Sequence, residues 1–293
     1  MGILTAVITM NLKTKHLVFC VVLLVFLGMG CGGEKKSGQK PETQKTPPEA
    51  FADIEKETLN IMQQADLIPI IEENMKKEEK AASGANQQEN KAKTQISDLT
   101  YEDTLLGELL KTEGLEMENK EIPQDTAVIW DNIANTITNL HTKWNELQPQ
   151  VMKESVPPEK IDAFERQLDT LTVFSNEQNY FNTMVAANVL TGNLAELMTP
   201  FADQKALPVH EFGYHLRNTV LCAAADDYEK AEESLAYITR RAPVLEESLS
   251  KEKFRALEFS LEDLQRVLQK QNLELTILNA AVVMENVAGV EKE

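Results

Sequence analysis

Residues 130–151 read WDNIANTITNLHTKWNELQPQV, and this stretch decides the fold class. Its large apolar residues recur at alternating intervals of three and four positions, which places them on one side of an α-helix. The residues of this stripe are Trp130, Ile133, Ile137, Leu140, Trp144, Leu147 and Val151. We therefore predict an amphipathic helix that ends near Pro149, Pro157 and Pro158, because proline lacks the backbone N–H that a helix needs.

Three further stretches repeat this spacing toward the carboxyl end. The second runs from the proline pair to Pro200 with a kink near Ser175, the third has a break at Asp226-Asp227, and the last carries Phe254 to Val282. No segment after residue 123 alternates apolar and polar residues with the period of a strand. The sequence thus predicts an all-α domain over residues 123–293, an elongated antiparallel helical bundle of about four long helices.

Residues 51–122 are predicted to be a loosely helical and linker region. Residues 51–82 have helical character that Pro69 should interrupt, and residues 83–96 are polar enough to form a linker. A short helix is expected around Leu105–Leu110. Whether this region packs against the bundle is left open by its composition.

The amino terminus has the pattern of an export signal. Lys13 and Lys15 precede the apolar run LVFCVVLLVFL at residues 17–27, and small residues follow at 28–30. The run is shorter than the ~20 apolar residues that span a bilayer. We predict a signal peptide over residues 1–30, with Met10 as the alternative start because the basic region follows it directly.

The residues around Cys31 resemble the lipobox of bacterial lipoproteins. Gly28-Met29-Gly30 lead to the cysteine, and a polar segment begins at Gly32. The resemblance implies that the Cys31 thiol is diacylated and becomes the first residue of a mature protein held to the membrane by this lipid. Ordinary signal-peptidase cleavage after Gly30 is the alternative. Residues 31–50 would then be the lipidated cysteine and a disordered, flexible tether, since they are proline-rich and almost without apolar side chains.

The composition of the chain and the motifs that it lacks argue against several classes of function. The formal net charge of −18 argues against a nucleic-acid partner, which requires a basic surface. The sequence has no Ser/His/Asp signature, no glycine-rich phosphate loop and no cysteine spacing for zinc or haem. We therefore predict a non-enzymatic protein without a cofactor.

Two sets of polar residues are candidate sites. Glu211 and His215 are four positions apart on one helical face and could ligate one metal ion, although a surface Glu–His pair is the alternative that we favour. Ser175, Gln178, Tyr180 and Asn188 lie on or beside the inner face of the second stretch. They could line a ligand pocket, or they could fix the register of the helices by hydrogen bonding.

Together these features predict an exported, membrane-anchored helical lipoprotein on the extracytoplasmic face of the cell membrane. Its expected role is that of a non-catalytic binding or adaptor module whose partner is an envelope protein. The alternative is an extracytoplasmic small-molecule or metal-binding receptor that uses the bundle interior.

Overall fold

Helices make up all the regular secondary structure in the computed structural model, which describes residues 47–83, 104–115, 122–123, 125–201 and 207–288. The α-helices in these ranges are α1 (Glu49–Ser83), α2 (Gly107–Thr112), α3 (Thr126–Lys153), α4 (Pro158–Asn176), α5 (Tyr180–Met198), α6 (Leu207–Ala224), α7 (Tyr228–Arg241), α8 (Lys251–Leu268) and α9 (Leu273–Ala288). A 3₁₀ turn at Ala242–Leu245 follows α7. The all-α prediction is confirmed for these residues. The predicted signal peptide, Cys31 and the first sixteen tether positions, 31–46, lie outside them.

Helix α3 carries the stripe from which the fold class was predicted. All seven apolar residues of the stripe are buried, and Ile129 extends it by one position. Asp125 caps the first turn, because its carboxylate accepts a hydrogen bond from the Ala127 backbone N–H at 2.8 Å. The helix passes through Pro149 and ends at Lys153, since the buried Val151 holds its last turn against the core.

The remaining long stretches are not single helices but pairs joined by tight turns. The kink expected near Ser175 is a complete turn between α4 and α5, in which Gln178 adopts a left-handed φ of 53°. Asp226 (φ 61°) ends α6 at the predicted break, and Gln271 (φ 52°) divides the predicted last helix into α8 and α9. The prediction of about four long helices therefore underestimates the number of turns. The break at Asp226 was predicted, whereas neither Gln178 nor Gln271 is the glycine that usually marks a helix end.

The turn at Gln271 changes which side of the last helix is buried. Leu275, Leu278 and Val282 continue the apolar spacing of α8 along the sequence, yet they are 39%, 59% and 44% exposed. The core face of α9 instead consists of Thr276, Ala280, Val283, Met284 and Val287. A turn between two helices resets the helical phase, so a stripe cannot be extended across it.

Hydrogen bonds between side chains connect two pairs of successive helices, α3 with α4 and α6 with α7. In α3 and α4, Trp144 Nε1 donates to Glu165 Oε1 at 3.1 Å, and the His141 and Thr172 side chains are hydrogen-bonded at 3.0 Å. In α6 and α7, the Asn218 amide donates to the Ser234 hydroxyl at 2.6 Å. Polar side chains at the edges of the core thus fix how each pair is aligned.

Residues 51–122 contribute α1 and α2 to the same core as the later helices. Phe51, Ile54 and Met62 of α1 are at most 1% exposed, and α1 packs against α3 and α5. The helix continues through Pro69, where an interruption was expected, because Ile68 and Ile71 are buried on either side of it. Burial of each such side chain is worth roughly 1.5–3 kcal/mol, enough to offset a missing hydrogen bond in the helix.

Asp66 of α1 holds the start of the short helix α2. Its carboxylate is 3% exposed and accepts a hydrogen bond from the Leu106 backbone N–H at 2.6 Å, 40 positions away in sequence. Burial raises the pKa of Asp66 to about 6, although hydrogen bonds from Leu106, Thr104 and Leu105 act in the opposite direction. The cap of α2 therefore comes from a distant helix.

We expect Asp66→Asn to remove a pH dependence of stability. Because the folded-state pKa lies above the value of 3.8 usual for aspartate, the contribution of Asp66 is fully present below pH 3.8 and is lost as the pH rises through about 6. At 1.36 kcal/mol per pKa unit, the free energy of unfolding of the wild type should fall by about 2 kcal/mol relative to the variant between pH 4 and 7. Urea denaturation of both proteins at several pH values measures this. A constant difference between them would contradict the assignment.

Candidate functional site

The predicted metal ligands Glu211 and His215 have separate partners. Glu211 Oε2 accepts hydrogen bonds from Arg241 Nη2 at 3.0 Å and from Arg241 Nε at 3.2 Å. The His215 ring stacks on the Tyr237 ring of α7, with centroids 4.0 Å apart and an angle of 22° between the planes. Among the described residues, no group of three or more His, Cys, Asp or Glu side chains is placed to hold a metal ion.

Burial lowers the pKa of His215 to about 4, so the ring is neutral at pH 7. We expect its imidazole resonances to titrate near pH 4 in the folded protein and near pH 6.5 in urea, as measured by NMR. Since the folded-state pKa is lowered, the stability that His215 contributes is present above pH 6.5 and is lost as the pH falls through 4. A folded-state midpoint near 6.5 would show that the stacked ring is accessible to water.

The four residues predicted to line an interior pocket are not brought together. Gln178 is exposed in the turn between α4 and α5, where it occupies the left-handed position after the helix end. Its N–H donates to the Ser175 carbonyl at 2.9 Å, so these two residues take part in the helix termination. Tyr180 begins α5 and is half-buried, whereas Asn188 lies about 12 Å further along that helix at 1.5 Å per residue.

Asn188 belongs instead to a polar network in the core, centred on Arg217 of α6. Arg217 is 1% exposed, and its Nε donates to Asn188 Oδ1 at 2.9 Å while Nη2 donates to Thr191 Oγ1 at 2.8 Å. Its Nη1 forms an ion pair with Glu113 at the end of α2. The Asn188 amide also donates to the Tyr214 carbonyl at 3.2 Å. These contacts support helix register, the alternative to a ligand pocket, as the role of Asn188.

The ion pair depends on a close approach of two helices. Gly213 faces the Glu113 carboxylate, and a side chain at position 213 would occupy the space that this carboxylate fills. Burial raises the pKa of Glu113, and the adjacent Arg217 guanidinium opposes this rise. Because arginine does not lose its proton in proteins, the network must supply acceptors for a permanent buried charge.

We expect Arg217→Met and Glu113→Gln each to lower the free energy of unfolding by about 3–5 kcal/mol, since each leaves one buried partner uncompensated. The double variant should lose much less than the sum of the two, because neither charge then remains. Urea denaturation of the four proteins gives the coupling energy. Additive losses would mean that the pair does not act as one unit.

A separate groove on the surface lies between α1 and α3 and has a volume of about 520 Å³. Carboxamide side chains predominate in its lining, and no charged side chain contributes to it. The lining residues are Asn60, Gln63, Gln64 and Leu67 of α1, Pro123, and Ile129, Asn132, Asn135, Thr136 and Asn139 of α3. Its volume is within the ~300–1,000 Å³ typical of small-molecule sites.

The amides of the groove are available to a ligand. In the described part of the chain, none of the six carboxamide groups forms a side-chain hydrogen bond with the protein. Gln63 is 3% exposed, and its Nε2 is buried without a hydrogen-bond partner among the described residues. A buried donor left unsatisfied costs about 1–3 kcal/mol, so this amide indicates a place for an acceptor from outside the chain.

The two helices run in opposite directions along the groove, and each end has a distinct boundary. Lys143, one turn beyond Asn139, pairs with Asp53 at 2.9 Å and with Glu57 at 3.5 Å. Pro123 and Ile129 lie toward the other end, near Leu67. The groove therefore extends from a cluster of one lysine and two carboxylates to an aliphatic margin.

Sequence reasoning missed this groove because its residues carry no motif. Asn132, Asn135 and Asn139 fall between the stripe positions of the segment quoted above, where a solvent-facing side is expected. The sequence feature that could have indicated the groove is the presence of three asparagines about one helical turn apart. At such positions on the exposed side of a helix, charged residues or better helix formers are commoner.

No protein-family model, curated protein or solved structure matches the chain. Among the described residues, no helix combines the length and the apolar character needed to cross a bilayer.

Proposed function

We propose that this chain is an exported, lipid-anchored, non-catalytic binding module that works at the cell envelope. The observation that carries the binding role is the amide-lined groove between α1 and α3, with its buried and unpartnered Gln63 amide. Export and anchoring rest on the sequence pattern around Cys31, which resembles a lipobox.

The chemistry of the groove suits binding better than catalysis. Carboxamides do not titrate near neutral pH and are poor nucleophiles, whereas they donate and accept hydrogen bonds with equal ease. A general acid, a general base or a nucleophile would be needed for most hydrolytic or transfer reactions. The lining supplies one hydroxyl, on Thr136, and its donor is already directed to the Asn132 carbonyl at 2.9 Å.

The arrangement proposed here, a helical bundle on a membrane tether, also fits an adaptor. Because α1 begins at Glu49, the tether would comprise residues 32–48, with a reach of roughly 20–25 Å from 5–6 Å times the square root of the number of residues. A binding surface on the bundle would then meet envelope components close to the membrane. The bundle would carry the specificity, and the lipid would set the location.

The alternative receptor role in the bundle interior would require rearrangement. Asn188 would have to leave both Arg217 and the Tyr214 carbonyl before it could contact a ligand. A metal between Glu211 and His215 would compete with Arg241 and with the stacked Tyr237 ring. The surface groove needs no such change, so it is the site that we favour.

Replacing the predicted lipidation site tests the location. In a bacterial host, the wild-type chain should appear in the membrane fraction with the mass of a diacylglycerol-modified amino-terminal cysteine. Cys31→Ser should abolish that mass and release the protein from the membrane, while Cys222→Ser, a matched control elsewhere in the chain, should not. A wild-type protein that keeps residues 1–30 and stays in the cytoplasm would contradict the proposal.

A further inference from the structure

We infer that the groove between α1 and α3 binds a neutral oligosaccharide, so that the module would connect the membrane to a glycan. This inference rests on the proposed binding function and adds the chemical class of the ligand. It is carried by the uncharged lining, by the spacing of the amides and by the unpartnered Gln63 Nε2.

The electrostatics of the site select an uncharged ligand. The whole chain carries a formal charge of −18, and anionic ligands would approach against this field. The groove lining offers no arginine or lysine to neutralise an anion and no carboxylate to bind a cation. Lys143 at one end is already paired with Asp53 and Glu57. Phosphates, nucleic acids and acidic sugars are therefore poor candidates.

The hydrogen-bonding pattern favours hydroxyl groups. A carboxamide offers two donors and an acceptor, and a sugar hydroxyl likewise donates and accepts. Asn132, Asn135 and Asn139 place such groups along about 10 Å of α3, and Asn60, Gln63 and Gln64 face them from α1. Two rows of adaptable donors and acceptors match a ligand with hydroxyl groups on both of its edges.

The apolar part of the lining distinguishes a glycan from an extended peptide. Peptide recognition in a groove draws its specificity from pockets for individual side chains. Here the aliphatic contributions are confined to Leu67, Ile129 and Pro123. Leu67 and Ile129 are each only 1% exposed, so the groove offers too little apolar surface to receive a series of apolar peptide side chains. A glycan is therefore the occupant that the lining favours.

Gln63 provides a test that a purely structural role would not satisfy. Replacement by leucine keeps a similar volume and removes a buried donor without a partner among the described residues. Thermal stability should therefore stay the same or rise, while ligand affinity should fall by about tenfold, the effect of one or two lost neutral hydrogen bonds. Loss of both stability and affinity would instead overturn the assignment of this amide to a ligand.

The main experiment is calorimetric titration of the full chain, purified in a zwitterionic detergent without a sugar headgroup. The probes are the trimer of N-acetylglucosamine, maltotriose and an end-blocked tetra-alanine peptide. We expect at least one saccharide to bind, and Asn132→Ala/Asn135→Ala and Gln63→Leu to weaken it by about tenfold or more. Asn145→Ala is the matched control, because Asn145 is exposed on the same helix but does not line the groove.

The outcomes separate the inference from the proposed function. Saccharide binding that the groove variants weaken and Asn145→Ala preserves would support both. Saccharide binding unchanged in every variant would overturn the groove as the site. Peptide binding that depends on the groove, without saccharide binding, would overturn the ligand class and leave the binding function standing. Binding of none of the probes would overturn the inference, and the cell fractionation of Cys31→Ser would then judge the anchored location by itself.

Discussion

The buried guanidinium of Arg217 is the constraint on which the central helices depend. It cannot lose its proton, so a fold that leaves it 1% exposed must bring acceptors to it from several directions. Those acceptors come from α2 through Glu113 and from α5 through Asn188 and Thr191. A relative shift of any of these helices would break charged hydrogen bonds in a medium of low dielectric, which is costly. The network therefore specifies one alignment where apolar packing alone would tolerate several.

Local spacing predicted the individual helices well and their long-range relations poorly. The stripe of α3 was correct at every position because amphipathic spacing is a property of one helix and its immediate environment. The turn at Gln178 was expected only as a kink near Ser175 and the turn at Gln271 was missed, since neither residue is a glycine and the apolar spacing continues past both. The pairing of Glu113 with Arg217 spans 104 positions, and no sequence pattern connects the two. The candidate pocket residues were inferred from the face of one predicted helix. In the structure, Asn188 instead accepts a hydrogen bond from Arg217, which belongs to α6.

The groove is formed by the surfaces of two helices, α1 and α3, and neither surface carries a recognisable motif by itself. The asparagines of α3 lie outside its core stripe, and the amides of α1 lie in a region whose packing the sequence left open. Only the packing of α1 on α3 brings the two rows face to face and encloses Gln63. The same packing buries the apolar side of α1, so the site and part of the core form together. Recognition at this surface would then be linked to the folding of α1 onto the bundle.

The left-handed turns have a consequence for how this chain can change. Ser155, Gln178, Asp226 and Gln271 all adopt a backbone conformation that costs a residue with a side chain roughly 1–2 kcal/mol. Glycine would adopt it freely, and a single substitution at one of these positions would leave the buried contacts untouched. Replacing one of these residues with glycine is therefore a route by which evolution or protein engineering could raise the stability of the fold. Stability gained in this way could compensate for destabilising substitutions elsewhere in the chain, including those in the groove between α1 and α3, without loss of the fold.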